Sequence, residues 1–212
     1  TLGWTDEKGK ATYCLEGSLF NAGTVVQWLR DGLGIIQNAD EINTLAQKVE
    51  TTGGLMFVPA FTGWGTPHWD PHARGLLIGL TRDSNKSHIA LAALEGIALS
   101  VSTLVELAED SLGHSLGELA VDGGAAASNP LLKAQANITG LRVRRPRNIE
   151  STAKGVALLA GLQSGVLSDL SHLLTGKEEG ADFFTPKMDI SSRTHLKSKW
   201  DEAVKRSLEW HV

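Results

Sequence analysis

Two adjacent glycines, Gly123 and Gly124, sit in the run Val121-Asp122-Gly123-Gly124-Ala125-Ala126-Ala127-Ser128-Asn129-Pro130. A short apolar segment (119–121) precedes them and reads as a buried strand; Asn129 followed by Pro130 reads as a helix cap with proline at the first helical position. A strand-to-helix turn of this kind brings backbone N–H groups, the positive end of a helix dipole and a floor without side chains to one place. That suits a flat, polyanionic ligand such as a nucleotide. Taken alone, such a turn is more often only a turn. Gly23 falls within a predicted helix (19–31), where it costs about 1 kcal/mol against alanine, so it points to close approach of another backbone or of a ligand.

Other chemistry-bearing groups carry less. His68, Asp70 and His72 alternate, and in an extended strand they would share a face as a metal-binding trio does. Pro67 and Pro71 break that geometry, leaving loop histidines as the default and Asp70 as a structural partner of Arg74. Arg142, Arg144, Arg145 and Arg147 form a basic cluster, read as an exposed strand end. Phosphate-loop and nucleophile-elbow motifs are missing, and Gly32-x-Gly34 and Gly63-x-Gly65 both lack the third glycine of a dinucleotide fingerprint. Hydride transfer and serine hydrolysis therefore lack support.

The elements that must position these residues alternate between strand and helix. A hairpin turning at Asp6-Glu7-Lys8-Gly9 leads to a strand at 11–15. The helix at 19–31 ends at Gly32, and a second helix (40–49) is capped by Asp40. A strand at 55–58 precedes the segment 59–75, whose Phe61, Trp64, Trp69 and breakers predict a loop packed by its own side chains. After a strand at 76–80, Ile89, Ala93, Ile97, Val101, Leu104 and Ala108 recur at helical spacing, predicting a long core helix from about Asn85 to Gly113. A helix at 130–139, a strand at 141–143 and a helix at 153–162 capped by Ser151-Thr152 follow. The last of these is rich in small residues and predicted to pack closely. A helical turn at 169–174, a polar surface excursion at 176–187 and an amphipathic helix at 192–210 docked on its own domain complete the chain. The mixture implies an α/β or α+β domain with a mixed sheet flanked by helices.

Composition narrows the class. The chain has 212 residues, 42% hydrophobic and 21% charged, as in ordinary globular proteins. A formal charge of −4 gives no footprint for nucleic acid. No uninterrupted apolar run reaches membrane-spanning length, so no membrane partner is expected, and the N-terminus has no signal-peptide pattern. Cys14, the single cysteine, has no internal partner, which fits a reducing, cytoplasmic setting. The start at Thr1 predicts a fragment of a longer polypeptide.

Four blocks together carry a resemblance. They are Leu15-Glu16-Gly17 through Gly23 to Gln27-Trp28-Leu29-Arg30-Asp31; Phe57-Val58-Pro59-Ala60-Phe61-Thr62-Gly63 through Trp69-Asp70-Pro71 to Ala73-Arg74-Gly75; Val121-Asp122-Gly123-Gly124; and Glu150-Ser151-Thr152-Ala153 through Gly155 to Ala160-Gly161. In this order they resemble the glycerol kinases. The segment 75–95, with Gly75, Leu77, Gly79-Leu80, His88-Ile89 and Ala92-Ala93-Leu94-Glu95, resembles the second signature of the wider FGGY carbohydrate-kinase family. The likeness thins after about Leu174. It implies the actin, hexokinase and heat-shock chaperone fold class (ribonuclease H-like), with residues 1–212 forming most of the C-terminal, nucleotide-binding domain of a two-domain carbohydrate kinase. It implies ATP or ADP with Mg²⁺ as ligand, a small polyol such as glycerol as substrate, the missing N-terminal domain as partner, and compatibility with a homo-oligomer.

The resemblance also places the nucleotide. Adenine would lie against Gly123 and Gly124 and against the helix carrying Gly23 and Gln27. Where glycerol kinases usually carry Asn four residues after the second glycine, this chain has Ser128 beside Asn129, and both remain candidates. The catalytic aspartate and the phosphate-binding segment of the resembled family lie outside the chain, so the chain alone is expected to be inactive. Two rival expectations stand beside this one: a kinase for another polyol or sugar, and a truncated, non-catalytic nucleotide-binding or interaction module.

Overall fold

The computed structural model describes residues 1–5, 8–168 and 180–211. Strands β1 (Leu2–Thr5) and β2 (Ala11–Tyr13) form the antiparallel hairpin expected, whose turn residues Asp6 and Glu7 lie outside the described residues. The expected helix at 19–31 starts late. Asn21, buried ahead of it, bonds across to Thr62 (Nδ2 to Oγ1, 3.2 Å) and accepts from the Thr24 hydroxyl, so the chain turns helical only at Gly23. Helix α1 spans Gly23–Gln27 and widens into a π-turn over Trp28–Gly32. Gly23 is therefore the first helical residue rather than an interior one.

Helix α2 (Glu41–Ala46) is shorter than expected, and Asp40 makes no capping bond. Asn38 does the work instead: its Oδ1 accepts from Glu41 N at 3.1 Å, while the Glu41 carboxylate accepts from Gln37 N. Strands β3 (Met56–Val58) and β4 (Leu76–Ile78) pair antiparallel around the 59–75 loop. Trp64 and His68 pack within it, but Phe61, Trp64 and Trp69 also meet rings outside it, so the loop is held by its neighbours as well as by itself. Trp28, Phe57 and Phe61 meet with centroids 5.0–6.0 Å apart and fasten that loop to α1 and β3.

Helix α3 (Lys86–Leu112) is the longest element. Asn85 and His88 form a reciprocal capping box at its start, and Gly113 ends it in the left-handed conformation. The stripe read from spacing is only part of its buried surface. From Ala90 to Ser102 most of the helix is enclosed, whereas Val101, Leu104 and Ala108 are only half-buried. Such enclosure hides an element that is, by length and composition, apolar enough to cross a membrane, which counting uninterrupted apolar runs missed. Gly96 makes the enclosure possible: a Cβ there would lie 2.2 Å from the Phe57 carbonyl, so α3 rests directly on β3.

Strand β5 (Glu118–Ala120) runs parallel to β6 (Arg142–Arg145), and β7 (Asp182–Phe184) adds antiparallel to β6. The mixed sheet is thus confined to these three strands, and the other four pair as hairpins. Between β5 and β6 lie a 3-10 turn (Gly124–Ala127) and α4 (Asn129–Thr139). α4 packs on α3 on one side and on β6 and β7 on the other, so helices separate the sheets. β7 corrects the expectation of a polar excursion at 176–187. The guanidiniums of Arg142 and Arg145 lie 4.8 and 5.4 Å from the Phe183 and Phe184 ring centroids, giving that segment something to pack on.

Helix α5 (Ser151–Gln163) begins at Ser151 itself, Glu150 holding the cap position without a side-chain bond. It has no buried residue, contrary to the close packing expected. Small residues report a capacity for close contact, and among the described glycines of this helix only Gly161 uses it, against the Leu167 side chain, while a Cβ on Gly155 would meet nothing within 4 Å. The helical turn expected at 169–174 lies outside the described residues. Helix α6 (Ile190–Ser207) docks on the domain as predicted. Trp200, 2% exposed, meets Trp64 at 5.8 Å, and Lys197 pairs with Glu106 of α3.

Gly96→Ala is expected to lower stability by about 2 kcal/mol or more, because helix and strand must part to admit the methyl group. Gly155→Ala, whose Cβ would meet nothing within 4 Å, should instead raise stability by up to about 1 kcal/mol; urea midpoints of the two variants check the contrast. Burial on α3 pushes the Glu95 carboxyl up from 4.5 to about 7. The native state then holds a proton that the unfolded state releases, so stability is fullest below pH 4.5 and falls as the pH rises through 7. Glu95→Gln should flatten that fall, which is of order 3 kcal/mol at most, when unfolding is followed from pH 4.5 to 8.

Candidate functional site

The Gly-Gly turn is built differently from the simple strand-to-helix junction. Val121 N donates to Arg144 O at 3.0 Å, continuing the β5–β6 pairing by one step. Gly123, at φ 78°, swings the chain away from the sheet, and its N–H is taken by Ile149 O at 2.7 Å. The 3-10 turn then intervenes before α4, so the glycines do not abut the helix start. Ser128, not Asn129, is the N-cap: its Oγ accepts from Leu131 N at 3.2 Å, with Pro130 at the second helical position. Ser128 thus takes the Leu131 and Leu132 N–H groups of the helix end, and the dipole reaches the turn only across an extra loop.

Arg145 fixes this turn from behind. Its Nη1 donates to the carbonyls of Ala126 (2.9 Å) and Ala127 (3.4 Å), while Nε and Nη2 hold Asp182 Oδ2 at 3.1 and 2.6 Å. Arg142 and Arg144 flank Glu118 at 2.6 and 2.7 Å, and the Arg144 guanidinium keeps that carboxyl below the usual carboxylate range. Arg142, Arg144 and Arg145 thus form a structural clamp, while Arg142 and Arg147 are exposed as expected of a strand end.

In front of the turn lies an open cavity of about 570 Å³, within the range of small-molecule sites. Val26, Ile42, Leu94, Ile97 and Leu131 make an apolar floor; Gln27, Arg30, Asp40, Asn43, Asp122 and Ser128 are the polar groups around it. Gly23, Gln27, Gly123, Gly124 and Ser128 all line it, whereas Asn129 does not. The structure therefore brings two distant sequence features, the α1 glycine and the Gly-Gly turn, to one concavity.

Gly23 and Gly124 have a further property in common. A Cβ on either would meet no atom of the chain within 4 Å, and neither has the positive φ that favours glycine. Nothing in the protein's own packing demands glycine at these points, and both open onto the cavity. Arg30, also on the wall, is drawn into a bidentate pair with Asp31 at 2.7 and 2.8 Å, which lowers the Asp31 pKa through that hydrogen bond.

Sequence reasoning missed Asn43 and Arg145. Asn43 was hidden in an amphipathic helix whose apolar residues alone were read, although a polar residue on the inner side of such a helix is itself a signal. Arg145 was visible in the cluster, but its target, a pair of backbone carbonyls, leaves no mark on the sequence. Asp70 is correctly structural, but with a different partner. Its carboxylate accepts from the backbone of His72 (2.8 Å) and Glu209 (2.6 Å), the latter bond lowering its pKa most. Arg74 caps the carbonyls of Pro71 and Ala73 instead. Among the described residues no group of three His, Cys, Asp or Glu is arranged to hold a metal ion.

Residues 1–164 match the FGGY family of carbohydrate kinases, C-terminal domain. The chain is 49% identical to a glycerol kinase of Saccharolobus islandicus over 210 residues, which is 99% of this chain and 42% of that protein. A crystal structure of the Plasmodium falciparum glycerol kinase with ADP superposes with a TM-score of 0.78 at 32% identity, covering 88% of this chain and 37% of that one. A ligand-bound xylulose kinase from Lactobacillus acidophilus gives 0.66 at 24% identity, a likeness of fold alone. The chain spans well under half the length of these relatives. With the family pattern running through the elements that build the cavity and the fold shared with actin and hexokinase, this chain belongs to the FGGY carbohydrate kinases, in the part that forms their C-terminal domain.

Proposed function

We propose that this chain is the nucleotide-side domain of an ATP-dependent glycerol kinase, which transfers the γ-phosphoryl group of ATP to glycerol and gives sn-glycerol 3-phosphate. One observation carries the reading: Gly23 and Gly124, free of any packing or backbone need for glycine, line the same apolar-floored cavity. A flat base fits against such side-chain-free walls, with Val26, Ile42 and Ile97 beneath it. Likeness to glycerol kinases, one of them solved with ADP, supports both nucleotide and substrate.

In this reading Gln27 and Ser128 lie at the rim of the base pocket, and Asn129 stands outside it. Mg²⁺ comes with the phosphates, where it offsets their charge; the described residues build no cluster to hold it, so no step is assigned to them through the metal. The carboxylate that orients or deprotonates the attacking hydroxyl belongs to the remainder of the polypeptide, as do the contacts to glycerol. This domain's task is to hold the nucleotide so that its γ-phosphate is presented in line with that hydroxyl.

The full-length protein supplied with MgATP and glycerol should form glycerol 3-phosphate. A product only with another polyol or with a sugar in a parallel panel would move the assignment elsewhere in the family, and no turnover with any member would refute a kinase. In calorimetric titration with MgADP, Gly124→Val should abolish saturable binding, since a Cβ there meets nothing of the protein within 4 Å and the side chain enters the cavity. Arg145→Ala, which frees the carbonyls of Ala126 and Ala127, should weaken binding about tenfold while leaving the fold intact. Unaltered affinity in both variants would place the nucleotide elsewhere.

A further inference from the structure

We propose that Asn43 reads the nucleobase, with Ser128 as its positioning residue, and that together they select a 6-amino purine over a 6-oxo purine. The inference rests on the nucleotide reading above and deepens it. Both side chains line the cavity, one from α2 and one from the cap of α4, and they meet at 2.5 Å.

The hydrogen-bond inventory of this pair is nearly complete. The Ser128 hydroxyl accepts from Leu131 N at 3.2 Å and gives its single proton to Asn43 Oδ1. It has no proton left for a ligand. With the hydroxyl proton given to the amide, Oδ1 lies against Ser128 and Nδ2 turns elsewhere. Among the described residues no acceptor meets Nδ2, although an amide nitrogen carries two donors. Asn43 is half-buried, its neighbour Ile42 is 2% exposed, and α2 packs against α3, so the amide is carried on a fixed base.

An oriented amide offers a donor and, on the remaining lone pair of Oδ1, an acceptor side by side. Adenine presents the complement, a ring-nitrogen acceptor next to an exocyclic amine, which is why asparagine pairs with adenine in two bonds at once. A purine with a 6-carbonyl puts an oxygen where the amine should be, against Oδ1, and forfeits one bond while adding a repulsion. Ser128 contributes without touching the base, by giving its proton to Oδ1 and so favouring the orientation that leaves Nδ2 for the ligand.

The test uses the full-length polypeptide, titrated in the same preparation with ADP and with inosine 5′-diphosphate, so that the ratio of affinities is independent of the fraction folded. The unmodified protein should favour ADP by about tenfold or more. Asn43→Leu should lose about tenfold for ADP and change less than about twofold for the inosine compound, collapsing the ratio. Asn43→Asp, nearly isosteric, should lose ADP affinity at least as far, since it removes the donor. Ser128→Ala, with Asn43 still present, should lower the ratio by about threefold, a change that a purely structural cap would not produce. A ratio unmoved in Asn43→Leu and Asn43→Asp overturns the proposal while leaving the nucleotide site standing. Failure of the unmodified protein to bind either nucleotide overturns the underlying reading, and this one with it.

Discussion

The contact that the rest of the structure depends on is the absence of a side chain at Gly96, which lets α3 lie on the carbonyl of Phe57. Packing that close fixes the position of the longest helix relative to β3, and α2, α4, β4 and α6 are then placed against one or the other. Leu94 and Ile97, flanking Gly96, become part of the cavity floor. Further along, Thr103 and Glu106 receive Trp200 and Lys197 of α6. The site is therefore made by elements distant in sequence that share one support, as is usual where a rigid core presents loops and helix ends to a ligand.

Reading the sequence worked where the signal was local and failed where a partner supplied it. The bounds of α3 were legible because Asn85, His88 and Gly113 mark its ends with their own chemistry. The Gly-Gly turn and Gly23 were legible as anomalies, residues whose conformational liberty needed a reason. The true cap of α4 was harder: Ser128 and Asn129 are both good caps, and only the 3-10 turn, a tertiary consequence of Gly123 bonding to Ile149, decides between them. The shortened start of α1 was illegible for a similar reason, since Asn21 is drawn away by Thr62 from a loop far along the chain. β7 escaped notice because its two phenylalanines pack on arginines rather than on an apolar face.

The arginines show how one cluster divides its work. Arg142 and Arg144 spend their charge on Glu118, across the parallel pair β5–β6. Arg145, one pleat further, reaches past the sheet to two carbonyls of the 3-10 turn while its other nitrogens hold Asp182. A guanidinium suits this because its planar fork can satisfy targets in two directions at once, which an ammonium cannot. The turn that walls the cavity is thereby anchored to two strands, β6 and β7, though it belongs to neither.

Helix α5 stands apart from all of this. Val156 and Leu159 are 65% and 64% exposed, and no residue along its length is buried. A helix of this size in water is held mainly by its own backbone bonds, and these are marginal when no tertiary face reinforces them. Amide protons make the difference visible. Those of the enclosed stretch of α3 (90–102) are expected to reach solvent only when the domain opens as a whole, whereas those of α5 are expected to exchange through fraying that leaves the domain intact. Within one continuous polypeptide, two helices drawn with the same symbol thus belong to opposite ends of the stability scale.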